Sequence, residues 1–176
     1  MILFSVLAAL ADMWRGNGQW TGDKLPNKRI GLLIVGLCYV AVVGSWTWWV
    51  LPYLIWLNIA GVAFGTGNPM ARVVLGNKVH LEQVADPKND LENFQRFFGV
   101  TNHWWSQALL GFLWHVPALF MWSIDPAWVF VPFINAITFP LSGWIARRKF
   151  AIGDRWKAME GLRSGIAVFF LAAAML

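Results

Sequence analysis

Charge is scarce in this chain. Asp, Glu, Lys and Arg make up 13% of its 176 residues and hydrophobic side chains 58%, against a charged share of about 25% in soluble domains. That balance excludes an ordinary soluble domain and points to one integral membrane domain over residues 1–176. Cysteine is nearly absent: Cys38 stands alone inside an apolar run, so no intrachain disulfide can form. Tyrosine is also rare, two residues against thirteen Trp and thirteen Phe. Such a balance suits a surface that meets lipid and headgroups.

Motifs that carry chemistry are missing too. His80, His103 and His115 stand 23 and 12 residues apart, and no C-x-x-C or H-x-x-E-H occurs, so no metal site is expected. Gly65, Thr66 and Gly67 are not followed by the glycine of a dinucleotide site or the Lys-Ser/Thr pair of a phosphate loop, so no cofactor is expected either.

The longest absence organises the rest. Ile30 to Ala71 is forty-two residues without Asp, Glu, Lys, Arg or His, roughly twice what a helix needs to cross a hydrocarbon core of about 30 Å. Gly44 and Ser45, with Trp46, Trp48, Trp49 and Pro52 after them, mark a turn. A helical hairpin is expected, Ile30 to Gly44 and Trp49 to Gly65, ended by Gly65, Thr66, Gly67, Asn68 and Pro69. Trp104 to Ile124 and Ala127 to Ala146 read as a second hairpin around Asp125 and Pro126, with Pro132 and Pro140 as kink points. The expected fold class is therefore all-α: a polytopic transmembrane helical bundle with four firm spans. Two shorter apolar pieces, Met1 to Trp14 and Ser164 to Leu176, allow up to six crossings.

The Met1 to Ala11 stretch has a signal-like core. No Lys or Arg precedes it, however, and Asp12 stands where a cleavage site belongs. It is expected to be retained. Between the apolar pieces, 15–29 reads as a glycine- and proline-broken loop and 70–103 as a mixed region with a surface helix capped by Asp90, its Leu91, Phe94 and Phe98 on one side. Residues 154–163 read as a basic amphipathic stretch.

Net charge is +5. Four Lys and Arg fall in 15–29, four in 70–103 and six in 147–163, all on one membrane face. By the positive-inside rule that face is cytoplasmic. Attraction to anionic lipid accounts for these loops, and no nucleic-acid motif accompanies them. Trp46, Trp48, Trp49, Trp122 and Trp128 should mark the outer boundary. Trp14, Trp20, Trp104, Trp105, Trp144 and Trp156 should mark the inner one, and Trp56 and Trp114 should pack at depth.

Candidate site residues are the polar groups inside the spans. His115 lies near mid-membrane, Asn135 within a few ångströms of its depth, and Asn58 nearer the cytoplasmic side. The three are expected to form a buried hydrogen-bonded cluster, with neutral His115 donating to one Asn and accepting from the other. Interhelical bonding is the plain use of such a cluster and a proton, ion or substrate path the functional one. Gly61 with Gly65 and Gly161 with Gly165 have the spacing that lets helix backbones approach closely, for internal packing or self-association. Glu160 and Arg163 are placed for an interfacial i, i+3 ion pair. An enzyme would have to gather Asp86, Asp90, Glu92, His80, His103, Glu160 and Arg163 at the cytoplasmic interface, where a carboxylate beside a His can do acid–base work on a lipid headgroup. No catalytic residue is assigned.

The order of features carries a resemblance. Arg15-Gly16, the basic loop, the Gly65-Thr66-Gly67-Asn68-Pro69 hairpin end, Leu75-Gly76-Asn77-Lys78, two further spans and Glu160-Gly161-x-Arg163-x-Gly165 together resemble an uncharacterised family of small integral membrane proteins of tailed bacteriophages. The resemblance implies residence in the inner membrane of a bacterial host and brings no catalytic residues. The expected function is non-enzymatic: helix packing with itself as a homo-oligomer, or with a host membrane protein, among membrane lipids and without nucleic acid. A pore-forming, holin-like permeabiliser and a small interfacial enzyme acting on lipid-linked substrates are the alternatives.

Overall fold

The computed structural model describes residues 1–19, 25–63, 104–151 and 155–176. Six α-helices account for most of them, and there is no strand among the described residues. They are α1 (Ile2–Gln19), α2 (Leu25–Val43), α3 (Val50–Ala63), α4 (Trp104–His115), α5 (Phe130–Lys149) and α6 (Arg155–Ala174). Two 3-10 turns, Val116–Met121 and Pro126–Val129, join α4 to α5. The surface helix expected after Asp90, the 70–103 region with His80, Asp86, Glu92 and His103, and Gly65 lie outside the described residues.

The first hairpin forms with ends close to those expected. Gly44 takes a φ of +74°, a left-handed conformation that costs glycine nothing, and it ends α2 with its N–H on the Val40 carbonyl at 2.7 Å. Three other boundaries differ from the sequence reading. The 15–29 segment is helical at both ends, because each glycine in α1 costs only about 1 kcal/mol and Pro26 sits in the first turn of α2, where no helical N–H is lost. The span expected from Trp104 to Ile124 breaks at His115. Pro117 supplies no N–H and its ring crowds the carbonyl one turn back, so the chain tightens into the 3-10 turn Val116–Met121. The tail from Ser164 is no separate piece: α6 runs unbroken for 20 residues.

At the opposite end of the second hairpin, Asp125 caps the turn as the sequence suggests, its Oδ1 accepting from the Ala127 N–H at 2.9 Å. α5 then carries Pro132 in its first turn and Pro140 in its interior, and it closes on Arg147, Arg148 and Lys149 beside its negative dipole end. Arg148 lies 4.4 Å over the Trp144 ring.

Packing is antiparallel wherever glycine lets backbones approach. Gly161 faces Ala9 and Met13, and Gly165 faces Ser5 and Ala9, so α6 runs against α1. A Cβ at Gly161 would overlap Met13 Cγ and lie 2.8 Å from the Ala9 carbonyl oxygen. Gly111 of α4 sits against the Asn135 carbonyl of α5, and Gly143 of α5 against Gln107 of α4. α2 meets α5 through Tyr39 and Asn135, and its following loop meets the second turn through Ser45 and Trp128. α3 is held to α4 by two indoles: Trp56 Nε1 donates to the Trp114 carbonyl at 2.8 Å, and Trp114 Nε1 to the Leu57 carbonyl at 3.3 Å.

Among the described residues one helix, Pro126–Lys149 with its leading turn, is long and apolar enough to cross a membrane by length and composition; Ile2–Trp14, Ile30–Val43 and Gln107–Met121 are shorter apolar helices. Large hydrophobic side chains cover the outside, among them Ile2, Leu3, Leu10, Leu33, Ile55, Phe120, Phe133 and Ile137. Trp14, Trp46, Trp48, Trp49, Trp104, Trp105, Trp122 and Trp144 are also exposed. Trp128 departs from the expected boundary set. It is buried, with its indole N–H on the Ser45 hydroxyl at 2.9 Å and its ring edge-on to Tyr53.

Candidate functional site

Several polar side chains are gathered inside the bundle. α6 carries Glu160, Arg163, Ser164, Ala167, Val168 and Leu171 at i, i+3, i+4, i+7, i+8 and i+11, a single buried stripe. Its first half is polar and its second half apolar. Facing it, α1 presents Ala8, Ala11 and Asp12, and Asp12 is 1% exposed. The Ser164 hydroxyl donates to Asp12 Oδ2, joining the two helices.

Arg163 is the centre of the arrangement. Its Nη2 donates to Glu160 Oε1, one turn earlier on the same helix. The pair has the expected i, i+3 spacing, but it is not interfacial: Glu160 is fully buried and Arg163 is 3% exposed. Arg163 therefore also leaves the basic rim to which its position in the chain had assigned it. Its guanidinium lies 4.3 Å over the Phe139 ring and 5.2 Å over Trp114. Cation–π contacts of this kind contribute about 2 kcal/mol when desolvated. Nη1, on the other side of the fork, has no hydrogen-bond partner in the protein.

Asp12, Arg163 and Ser164 line a cavity of about 30 Å³, together with Tyr39 of α2, Trp114 and His115 of α4, and Asn135 and Phe139 of α5. Leu32, Val35 and Leu57 complete its wall. His115 Nδ1 lies 2.9 Å from the Gly111 carbonyl, which can only accept. That nitrogen therefore carries a proton. Asn135 directs its Nδ2 to the Val131 carbonyl at 2.8 Å and to the Tyr39 hydroxyl at 3.3 Å, and Thr138 closes over it from one turn on.

Two of the three expected cluster members, His115 and Asn135, thus border one cavity, but Asn135 is engaged by Tyr39 and by its own helix. The Asn58 side chain lies outside the described residues, although its backbone belongs to α3. Of the glycine pairs, Gly161 and Gly165 form the α1–α6 crossing. Gly61 lies in α3, with its surroundings undescribed. Asp12, Tyr39 and Ser164 were not anticipated, nor was Gln107, which is buried in α4. Among the described residues no group of three His, Cys, Asp or Glu could hold a metal ion.

The cavity can hold small polar species against the Asp12 carboxylate, a guanidinium and an imidazole, and it is too small for an organic substrate. Comparison with protein-family models, with curated proteins and with solved structures finds no match.

Proposed function

We propose that this chain is a polytopic integral membrane protein that crosses a bilayer six times with its basic segments in the cytoplasm. It works without catalysis, through contacts of its lipid-facing helices with a membrane protein of the cell it occupies. The observation that carries the reading is the inversion of polarity. Asp12, Gln107, His115, Asn135, Glu160 and Arg163 are buried while many leucine, isoleucine, phenylalanine and tryptophan side chains of the described helices are exposed. In water such a surface would be a contiguous apolar patch far beyond what a soluble monomer exposes; in lipid it is the expected one.

Helix length is the argument for counting the terminal helices as crossings. At 1.5 Å per residue, α1 and α6 run about 27 and 30 Å, close to a hydrocarbon core. The α1–α6 crossing makes the terminal helices part of the bundle rather than surface additions. Residence in a bacterial inner membrane, as a phage-type protein, rests on the resemblance set out above. Because Gly161 and Gly165 are occupied by α1, they are not free to mediate self-association, which favours a different membrane protein as the partner.

Reporter fusions after Trp20, Trp46, Ala85, Asp125, Ile152 and Leu176 test the topology. Cytoplasmic signals are expected at the first, third and fifth junctions and external signals at the others. A cytoplasmic signal after Leu176 would reduce the count of crossings, and release of the protein by alkaline carbonate would overturn the membrane reading.

A further inference from the structure

The end of the α4–α5 hairpin that carries Arg147, Arg148 and Lys149 is cationic and flanked by indoles. Gly111 lies against Asn135 and Gly143 against Gln107, so the two helices run antiparallel and Trp104 comes level with the last turns of α5. There Trp104 is 72% and Trp144 48% exposed, and Arg148 and Lys149 are exposed at the same end. Arg147 turns back along its own helix, its Nε donating to the Gly143 carbonyl at 3.3 Å. Arg148 is oriented by stacking: its guanidinium carbon lies 4.4 Å from the centre of the Trp144 ring, one turn earlier. A ring face takes up none of the in-plane N–H groups, so the contact fixes the fork and leaves its donating edge for an oxyanion.

Charge and shape agree on the occupant. The acids among the described residues lie elsewhere, Asp12 and Glu160 buried and Asp125 capping the turn at the other end of the hairpin. An anion is therefore what Arg148 and Lys149 attract. Below them an exposed apolar track runs down α5 through Trp144, Ile137 and Phe133. At 1.5 Å per residue it covers about 16 Å, half of a hydrocarbon core of about 30 Å and the reach of an acyl chain in one leaflet. A free phosphate ion would leave that track unused.

Resting on the membrane reading above, we infer that this end of the hairpin binds one anionic phospholipid, with its phosphate on Arg148 and Lys149, its glycerol region against Trp144 and Trp104, and an acyl chain along Ile137 and Phe133. A zwitterionic lipid offers the same phosphate but brings an ammonium group, which the two cations repel. The site thus selects phosphatidylglycerol over phosphatidylcholine. General attraction of basic loops to a charged surface would engage many lipids without saturating; this geometry holds one.

The test is native mass spectrometry of the full chain in detergent, titrated with phosphatidylglycerol or phosphatidylcholine. One phosphatidylglycerol per chain should be retained, saturably, at concentrations where phosphatidylcholine is lost. Each cation near an anionic lipid contributes about fivefold in affinity, so Arg148→Gln and Lys149→Gln should each weaken retention by about that factor and the double variant by roughly thirtyfold. Both side chains are exposed, so the variants should melt with the wild-type protein. Equal retention of phosphatidylcholine, unsaturable uptake, or a double variant that binds as wild type would overturn the assignment. Displacement by inorganic phosphate would overturn it too, in favour of a free-anion site. Protein that floats with phosphatidylcholine vesicles yet shows no lipid preference sinks the site alone; protein left in the aqueous fraction sinks the membrane reading with it.

Discussion

The Ser164 hydroxyl donates a hydrogen bond to the carboxylate of Asp12, 152 positions earlier in the chain, and that bond ties α6 to α1 across the interior of the bundle. On one side of it lies the glycine crossing, and on the other the Arg163–Glu160 pair and the polar cavity.

Removing one member of the buried ion pair should be severe. Glu160→Ala removes the carboxylate to which Arg163 donates, and loss of one partner of a buried pair costs about 3–5 kcal/mol. Thermal unfolding in detergent should show a large drop for Glu160→Ala. The double variant Glu160→Met/Arg163→Met should recover most of it, because matched apolar side chains carry no desolvation cost.

The glycine contacts predict a graded series. Gly111→Ala and Gly161→Ala force a methyl group against a backbone carbonyl oxygen, Asn135 in one case and Ala9 in the other, and overpacking of this kind costs about 1–3 kcal/mol. Gly36→Ala meets only the end of the Leu54 side chain, which can rotate away. It should be the mildest of the three in the same melting assay.

His115→Leu should insert normally and unfold earlier. The variant gives up the Nδ1 bond to Gly111, and polar bonds between or within membrane helices contribute roughly 0.6–2 kcal/mol. An unchanged melting profile would remove any stabilising part for the ring. Trp114→Phe should cost about 1 kcal/mol through the lost indole bond to Leu57, more through lost packing on Arg163, and should loosen α3 from α4.

Cys38 gives a direct probe of packing. Its thiol is buried on α2, so a membrane-permeant maleimide should label it slowly in the folded protein and rapidly after denaturation. Fast labelling of the native protein would contradict the packing of α2 in the bundle.

The helical class and both hairpins were legible because forty-two residues without charge and a tryptophan-glycine turn leave few alternatives. His115 and Asn135 were legible as well, since counting residues along two spans places them at similar depth. Asp12 and Arg163 were not. Each stands at the edge of an apolar run, where sequence order suggests a water-facing end, and only the continuation of α1 to Gln19 and of α6 back to Arg155 draws them inside. A signal was present: Glu160, Arg163 and Ser164 continue, at helical spacing, the stripe of Ala167, Val168 and Leu171, so the charged half and the apolar half of α6 share one face. The glycine at position 111 was missed because it pairs with no second glycine, and what it approaches is a carbonyl on another helix.

The α1–α6 crossing also sets a timetable. Of the described helices α1 emerges first during synthesis and α6 last, so Asp12 must wait for most of the chain before Ser164 arrives to donate to it. Until then α1 carries Asp12 without its Ser164 contact, and any quality-control protease that surveys half-assembled chains has its clearest view of this molecule in that interval.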